Sequence, residues 1–168
     1  MAEGYEYFEG LKLPYNLKAE QAVLGAVLLD QDCLDDVVEL VPNKDYFYVS
    51  NHKLIYSCML NLYNRGAAVD AVTVLNELKK EPTFDQTEGR EYFINLANVT
   101  PFTSNAKDYA QIVKENYETR SLIIAAKNII EDASEGTYSS AQLLDSAEQR
   151  IYDIRKGADV KSLEHIES

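Results

Sequence analysis

The side chains of this 168-residue chain that could do chemistry are two histidines, two cysteines and a scatter of neighbouring carboxylates. His52 falls in the first turn of a helical pattern, the position of a structural histidine rather than a base or a ligand, and His165 belongs to the C-terminal tail. Asp35 and Asp36 are adjacent, and neighbours at i and i+1 on a helix do not converge on one point; Glu115 and Glu118 stand at i and i+3 beside Lys114 on a solvated face. An acid–base dyad needs surroundings that drive two pKa values apart, and nothing near these pairs supplies them. Cys33 and Cys58 sit inside helical patterns without a CxxC spacing, and read as core thiols in a reducing compartment. The chain contains no GxxxxGK(S/T) phosphate loop, no GxGxxG and no HExxH. The expectation is a segment with no catalytic, cofactor-binding or metal-binding residue, and hence not itself an enzyme.

Charge narrows the partners. Twenty-eight acidic against sixteen basic residues give a net charge of −12, which a DNA surface would repel. Strong direct nucleic-acid binding is therefore not expected; a basic protein partner is easier to defend. The run from Ala22 to Leu29 has no polar side chain but stops at Asp30, well short of the roughly 20 apolar residues of a membrane span. The first ten residues hold three glutamates and no lysine or arginine, unlike a signal peptide, so a cytoplasmic protein is expected.

The elements that must position these residues are helices. Only 4 prolines and 7 glycines punctuate the chain, and its 46% hydrophobic residues recur at spacings of three and four. Residues 1–13 show no sustained period and read as a flexible arm. A globular helical subdomain, residues 14–100, follows. Its first helix, about 17 to 29, is apolar around nearly its whole circumference and should be central. Further helices are expected at about 32 to 40, 52 to 65 with Asn51 as N-cap and Gly66 at its end, 71 to 80 capped by Asp70, and 89 to 98 before Thr100 and Pro101. Tyr46, Phe47 and Tyr48 read as a core plug between helices.

After Pro101 the helices lengthen. A helix capped by Thr103 or Ser104 meets no breaker until Gly136, and another runs from about 140 to 156, so residues 101–156 read as an antiparallel helical hairpin. Its apolar residues fall on more than one stripe. Tyr109, Val113, Tyr117 and Ile124 form one; Ile112, Ile123, Ala126 and Ile130 form another; Leu144, Ala147, Ile151 and Ile154 have the three-four spacing of a coiled-coil seam. One stripe serves the hairpin's own packing and the other is left for a second chain. Ile123, Ile130, Ile151 and Ile154 are the candidates for inter-chain contact, with packing inside the chain as the alternative. The fold class is all-α, a compact helical globule followed by a protruding antiparallel hairpin.

The segment "PYNLKAEQAVLGAVLLD", residues 14–30, closely resembles the opening of the N-terminal domain of bacterial and phage replicative DNA helicases of the DnaB type. Further matches follow in order: "DYFY" with His52, Ile55 and Tyr56 behind it, "RGAAVDAVTVLNEL", "EYFINLANVTPFTSNAKDYAQIVKENYETRSLI" and "LLDSAEQRIYDI". The resemblance runs from about residue 14 to 156 and departs from the common pattern at "TEGRE", where Arg90 stands in place of a frequent second glycine.

The resemblance implies a collar domain of a hexameric helicase. It implies self-association through the hairpin, as a dimer or as a trimer of dimers in the full ring, with binding of primase and, in some systems, a helicase loader. The ATP- and Mg-dependent motor would follow residues 157–168, which look like the start of a linker. The alternative is the helicase-binding C-terminal domain of a primase, similar in architecture; a RecA-like ATPase downstream would favour the helicase, a polymerase-type domain upstream the primase.

Overall fold

A computed structural model describes residues 3–8, 10–98 and 103–157 of the chain. Among them are seven α-helices: α1 (Leu17–Leu29), α2 (Leu34–Leu40), α3 (Ser50–Asn64), α4 (Ala71–Lys79), α5 (Glu88–Asn98), α6 (Ala106–Glu135) and α7 (Ser140–Lys156). The fold is all-helical apart from one two-stranded antiparallel hairpin, β1 (Glu3–Phe8) with β2 (Leu11–Asn16). The hairpin occupies most of the stretch expected to be an arm. Tyr5 and Tyr7, then Leu11 and Leu13, alternate at the strand period about Gly10, whose φ of +87° suits the turn. Gly4 lies within β1, opposite Tyr15, and Gly10 makes the turn between the strands.

Helix α1 is the centre of the globule. Val23, Leu24, Ala26 and Val27 are fully buried and Gly25 is buried with them, so the helix touches neighbours on all sides, α3, α5 and α6 included. Asn16 caps it, its Oδ1 accepting from the Ala19 N–H at 2.9 Å. The plug behaves as its composition suggests: Tyr46 and Phe47 are buried, and Phe47 leans on Tyr56 with ring centroids 4.8 Å apart.

Local signals set most of the boundaries. Gly66, at φ +71°, donates to the Tyr63 carbonyl while Ala67 donates to that of Leu62, the paired bonds of a Schellman end for α3. Asp70 and Thr73 form a reciprocal capping box at the start of α4, and Ser139 with Gln142 does the same for α7. Asn51 is not a cap: α3 begins one residue before it, and its N-cap is Val49, which offers no side-chain bond. The cap expected from Thr103 or Ser104 is replaced by a 3-10 turn over Thr103–Asn105 leading into α6. The stop at Thr100 and Pro101 lies outside the described residues, as does the stretch 158–168 of the expected linker.

The boundary drawn at residue 101 does not divide the packing. Ala106, Ala110 and Val113 of α6 belong to the same core cluster as α1, and Tyr117 packs against it. The first half of α6 is thus a wall of the globule and its second half pairs with α7, because one long helix has turns enough to serve both.

Candidate interaction surface

A polar cluster lies inside the globule. Glu20, on α1, is 2% exposed and His52, on α3, is 0% exposed. His52 Nδ1 lies 2.7 Å from Glu20 Oε1, and Nε2 lies 2.6 Å from the Tyr92 hydroxyl on α5. Glu20 also accepts from the backbone N–H groups of Tyr48 at 2.8 Å and Val49 at 3.3 Å. A carboxylate can only accept, so His52 donates to it from Nδ1; the Tyr92 hydroxyl, bonded to Nε2, also accepts from Gln21 Nε2 at 3.2 Å. Burial is the first cause that holds the Tyr92 phenol above its ordinary value of 10.0.

A histidine–carboxylate pair is the usual form of a general base, but this one is buried inside the globule. Both ring nitrogens are occupied and Glu20's oxygens are shared with two backbone amides. The cluster fixes the 46–49 loop, α1, α3 and α5 against one another. His52 thus has the buried, fully bonded surroundings of a structural histidine.

Arg120 completes the cluster from α6. It is 6% exposed; Nη1 donates to the Pro14 carbonyl at 2.9 Å and Nη2 to that of Tyr46 at 3.0 Å. Its guanidinium carbon lies 5.3 Å from the Tyr48 ring centroid and 5.9 Å from that of Tyr117. Burial lowers its pKa, and the Glu20 charge opposes that shift. Around it Tyr15 stacks on Tyr48 at 4.6 Å and Tyr46 on Tyr117 at 4.1 Å. Arg120 clamps α6 to the globule near the point where the helix leaves it.

Beyond the clamp the surface changes character. None of the 17 residues of α7 is buried. Its half-buried positions are Leu143, Ala147, Arg150 and Ile154, spaced four, three and four, and the terminal Lys156. This seam is displaced by one position from the expected one: Ala147 and Ile154 keep their places, but Leu144 and Ile151 are turned outward, 64% and 45% exposed. Leu143 takes the inner position, and Arg150 joins it by pairing with Asp132 of α6 at 3.0 Å.

Of the four candidate contact residues, Ile130 is 66% exposed, Ile151 is exposed, and Ile123 and Ile154 are half-buried. Ile151 and Ile154 line an open groove between the helices with Leu122, Thr119, Glu118 and Arg155. Leu122 at 49% and Tyr152 at 54% extend the exposed apolar surface and were missed. A count of apolar positions outside the four-three seam would have found both.

The remaining reactive groups are quiet. Cys58 is buried and Cys33 half-buried, both free; burial is the first cause that pushes each thiol up to about 11. Among the described residues no three or more His, Cys, Asp or Glu side chains are grouped so as to hold a metal ion, and no helix is long and apolar enough to cross a membrane.

Comparison with known proteins supplies the context for this surface. The model of the DnaB-like helicase N terminal domain matches residues 12–115. The chain is 34% identical over 148 residues to the replicative DNA helicase DnaB of Leifsonia xyli subsp. xyli (strain CTCB07), covering 88% of this chain and 32% of that protein. It is 36% identical over 154 residues to the replicative DNA helicase DnaC of Bacillus subtilis (strain 168), covering 91% and 34%. The chain thus spans about a third of the length of these curated relatives. Among solved structures, it resembles the N-terminal domain of DnaB helicase from Mycobacterium tuberculosis with a TM-score of 0.77 and 35% identity, covering 84% of this chain and 99% of that one. A structure of a DnaB-like replicative helicase, described with its interactions with primase, matches with a TM-score of 0.65 and 28% identity over 91% of this chain and 35% of that one.

Proposed function

The chain belongs to the family of DnaB-like helicase N-terminal domains, and from that premise we propose that it is the collar unit of a replicative DNA helicase ring. In this reading it self-associates through the α6–α7 hairpin and recruits primase and, where one is used, a helicase loader, in the cytoplasm. The complete protein would unwind DNA with ATP and Mg held by a motor outside this chain, whose sequence has no phosphate loop of its own. The primase alternative loses its footing, because the curated relatives that match are replicative helicases.

One observation carries the proposal: α7 buries no residue against the rest of the chain while turning Leu144, Ile151 and Tyr152 outward, and α6 adds Leu122 and Ile130. Exposed apolar side chains grouped along one element mark an interaction site. The groove around Leu122 and Ile151 also carries Glu118 and Arg155, one charge of each sign. A second copy related by a two-fold axis can pair each with its opposite.

Light scattering over a concentration series tests this reading. The 168-residue chain is expected to show the mass of two or more copies, and Leu122→Glu combined with Ile151→Glu to give a monomer of unchanged helicity. A wild-type monomer at every concentration would remove the hairpin from the assembly.

A further inference from the structure

One end of the globule carries a second surface that the hairpin does not use. It is made where the C-terminus of α1, the turn at Gln31–Cys33 and the start of α2 meet the C-terminus of α3 and the start of α4. Two long-range bonds hold these segments together: the Tyr63 hydroxyl donates to Asp35 Oδ1 at 2.5 Å, and the Val69 N–H donates to Gln31 Oε1 at 2.8 Å. Close in sequence to the two ends of the second bond are two of the more exposed aliphatic side chains of the globule, Leu29 at 59%, two residues before Gln31, and Val72 at 71%, three after Val69.

Around them the charge is of one sign. Asp30, Asp32, Asp35, Asp36 and Glu39 are all exposed, and no lysine or arginine occurs between residues 19 and 43 or between 66 and 78. Arg65, at the edge, is taken by Glu77 at 2.9 Å. The fields of these acids overlap: after burial, the charges of Asp30, Asp36 and Asp32 raise the Cys33 thiol, and after its hydrogen bond to Asp35 and burial, those of Asp35 and Glu39 raise the Tyr63 phenol.

We propose that this end of the globule is a docking surface for a basic amphipathic helix of another protein, whose aliphatic side chains cover Leu29 and Val72 while its lysines or arginines meet the surrounding carboxylates. Each other occupant fails on charge or shape. Nucleic acid has the wrong sign. A second copy of this chain in two-fold contact would set the same acids against each other. A metal ion would leave Leu29 and Val72 uncovered, and Asp30 and Asp35 already accept from the Asp32 N–H and from Tyr63. An amphipathic basic helix satisfies both halves of the surface at once.

A short amphipathic lysine–leucine peptide serves as the probe, titrated into the 168-residue chain by calorimetry with amide shifts followed by NMR. Shifts are expected in 29–39 and 67–72. Asp32→Asn with Asp36→Asn is expected to weaken binding by about fivefold, the scale of losing two exposed ion pairs. Val72→Ser should weaken it as well, while Glu135→Gln with Glu148→Gln, the same charge change on the hairpin, leaves it unaltered. Circular dichroism and melting establish that each variant is folded. Equal weakening by both charge pairs, equally tight binding of an all-lysine peptide, or displacement of the probe by low concentrations of magnesium chloride would each overturn the proposal, the first two by showing diffuse attraction and the third by showing a cation site.

Discussion

At the scale of single residues, Glu20 carries more of the fold than any other polar group. It terminates the N–H groups of Tyr48 and Val49 and orients the fully buried His52. Glu20→Ala strands all three, and a loss of about 3–5 kcal/mol is expected, read as a lower urea midpoint. Glu77 offers the complementary case at the edge of the globule, its carboxylate bonded to two exposed basic side chains. Its bonds to Arg65 and Lys80 hold the carboxyl below its ordinary value of 4.5. The stability it adds is therefore present in full above that pH and disappears as pH falls through the lowered value. The difference in melting temperature between wild type and Glu77→Gln should be constant from neutral pH down to about pH 5 and close below 4.5. Neither role was legible in the sequence. Glu20 stands inside a recognisable motif and His52 reads as structural, but their meeting across 32 positions, and that of Arg120 with the Pro14 carbonyl across 106, leaves no local period to detect.

At the scale of elements, helix ends were the most readable features because their chemistry is local. Asp70 was recognisable as a cap from its place before an apolar period, and the structure gives it the Thr73 N–H at 2.9 Å. Asp70→Ala should cost about 1 kcal/mol in chemical denaturation, without changing the number of chains in the particle. Asn51 had the right residue type and the wrong place, because Glu20, distant in sequence, serves the amides of the preceding loop and lets α3 start earlier. The seam of α7 shows a different limit. Leu143 and Leu144 are consecutive, and a three-four pattern can be started from either; Arg150, a residue a hydrophobic count passes over, settles the choice through Asp132. The β1–β2 hairpin was missed because its alternation is short and is interrupted by Gly4, within β1, and by the turn at Gly10.

At the scale of the whole molecule, a compact helical body followed by a helical hairpin was legible from helix length alone, whereas the sharing of α6 between them was not. Ala106, Ala110 and Val113 show that the core is closed by the early turns of α6, and Ala125 is its last buried position. A chain ending at Glu135 should therefore keep a cooperative melt within a few degrees of the full chain by circular dichroism, while light scattering finds it monomeric because α7 is gone. The clamp also has a mechanical meaning. From Arg120 to Glu135 the helix runs on as an unbroken rod of ~22 Å at its usual rise. With its fulcrum at Arg120, a tilt of about 10° would swing the tip by ~4 Å, close to the advance of three helical residues. A rotation too small to disturb the core would thus be amplified several-fold in displacement at the far end of α6.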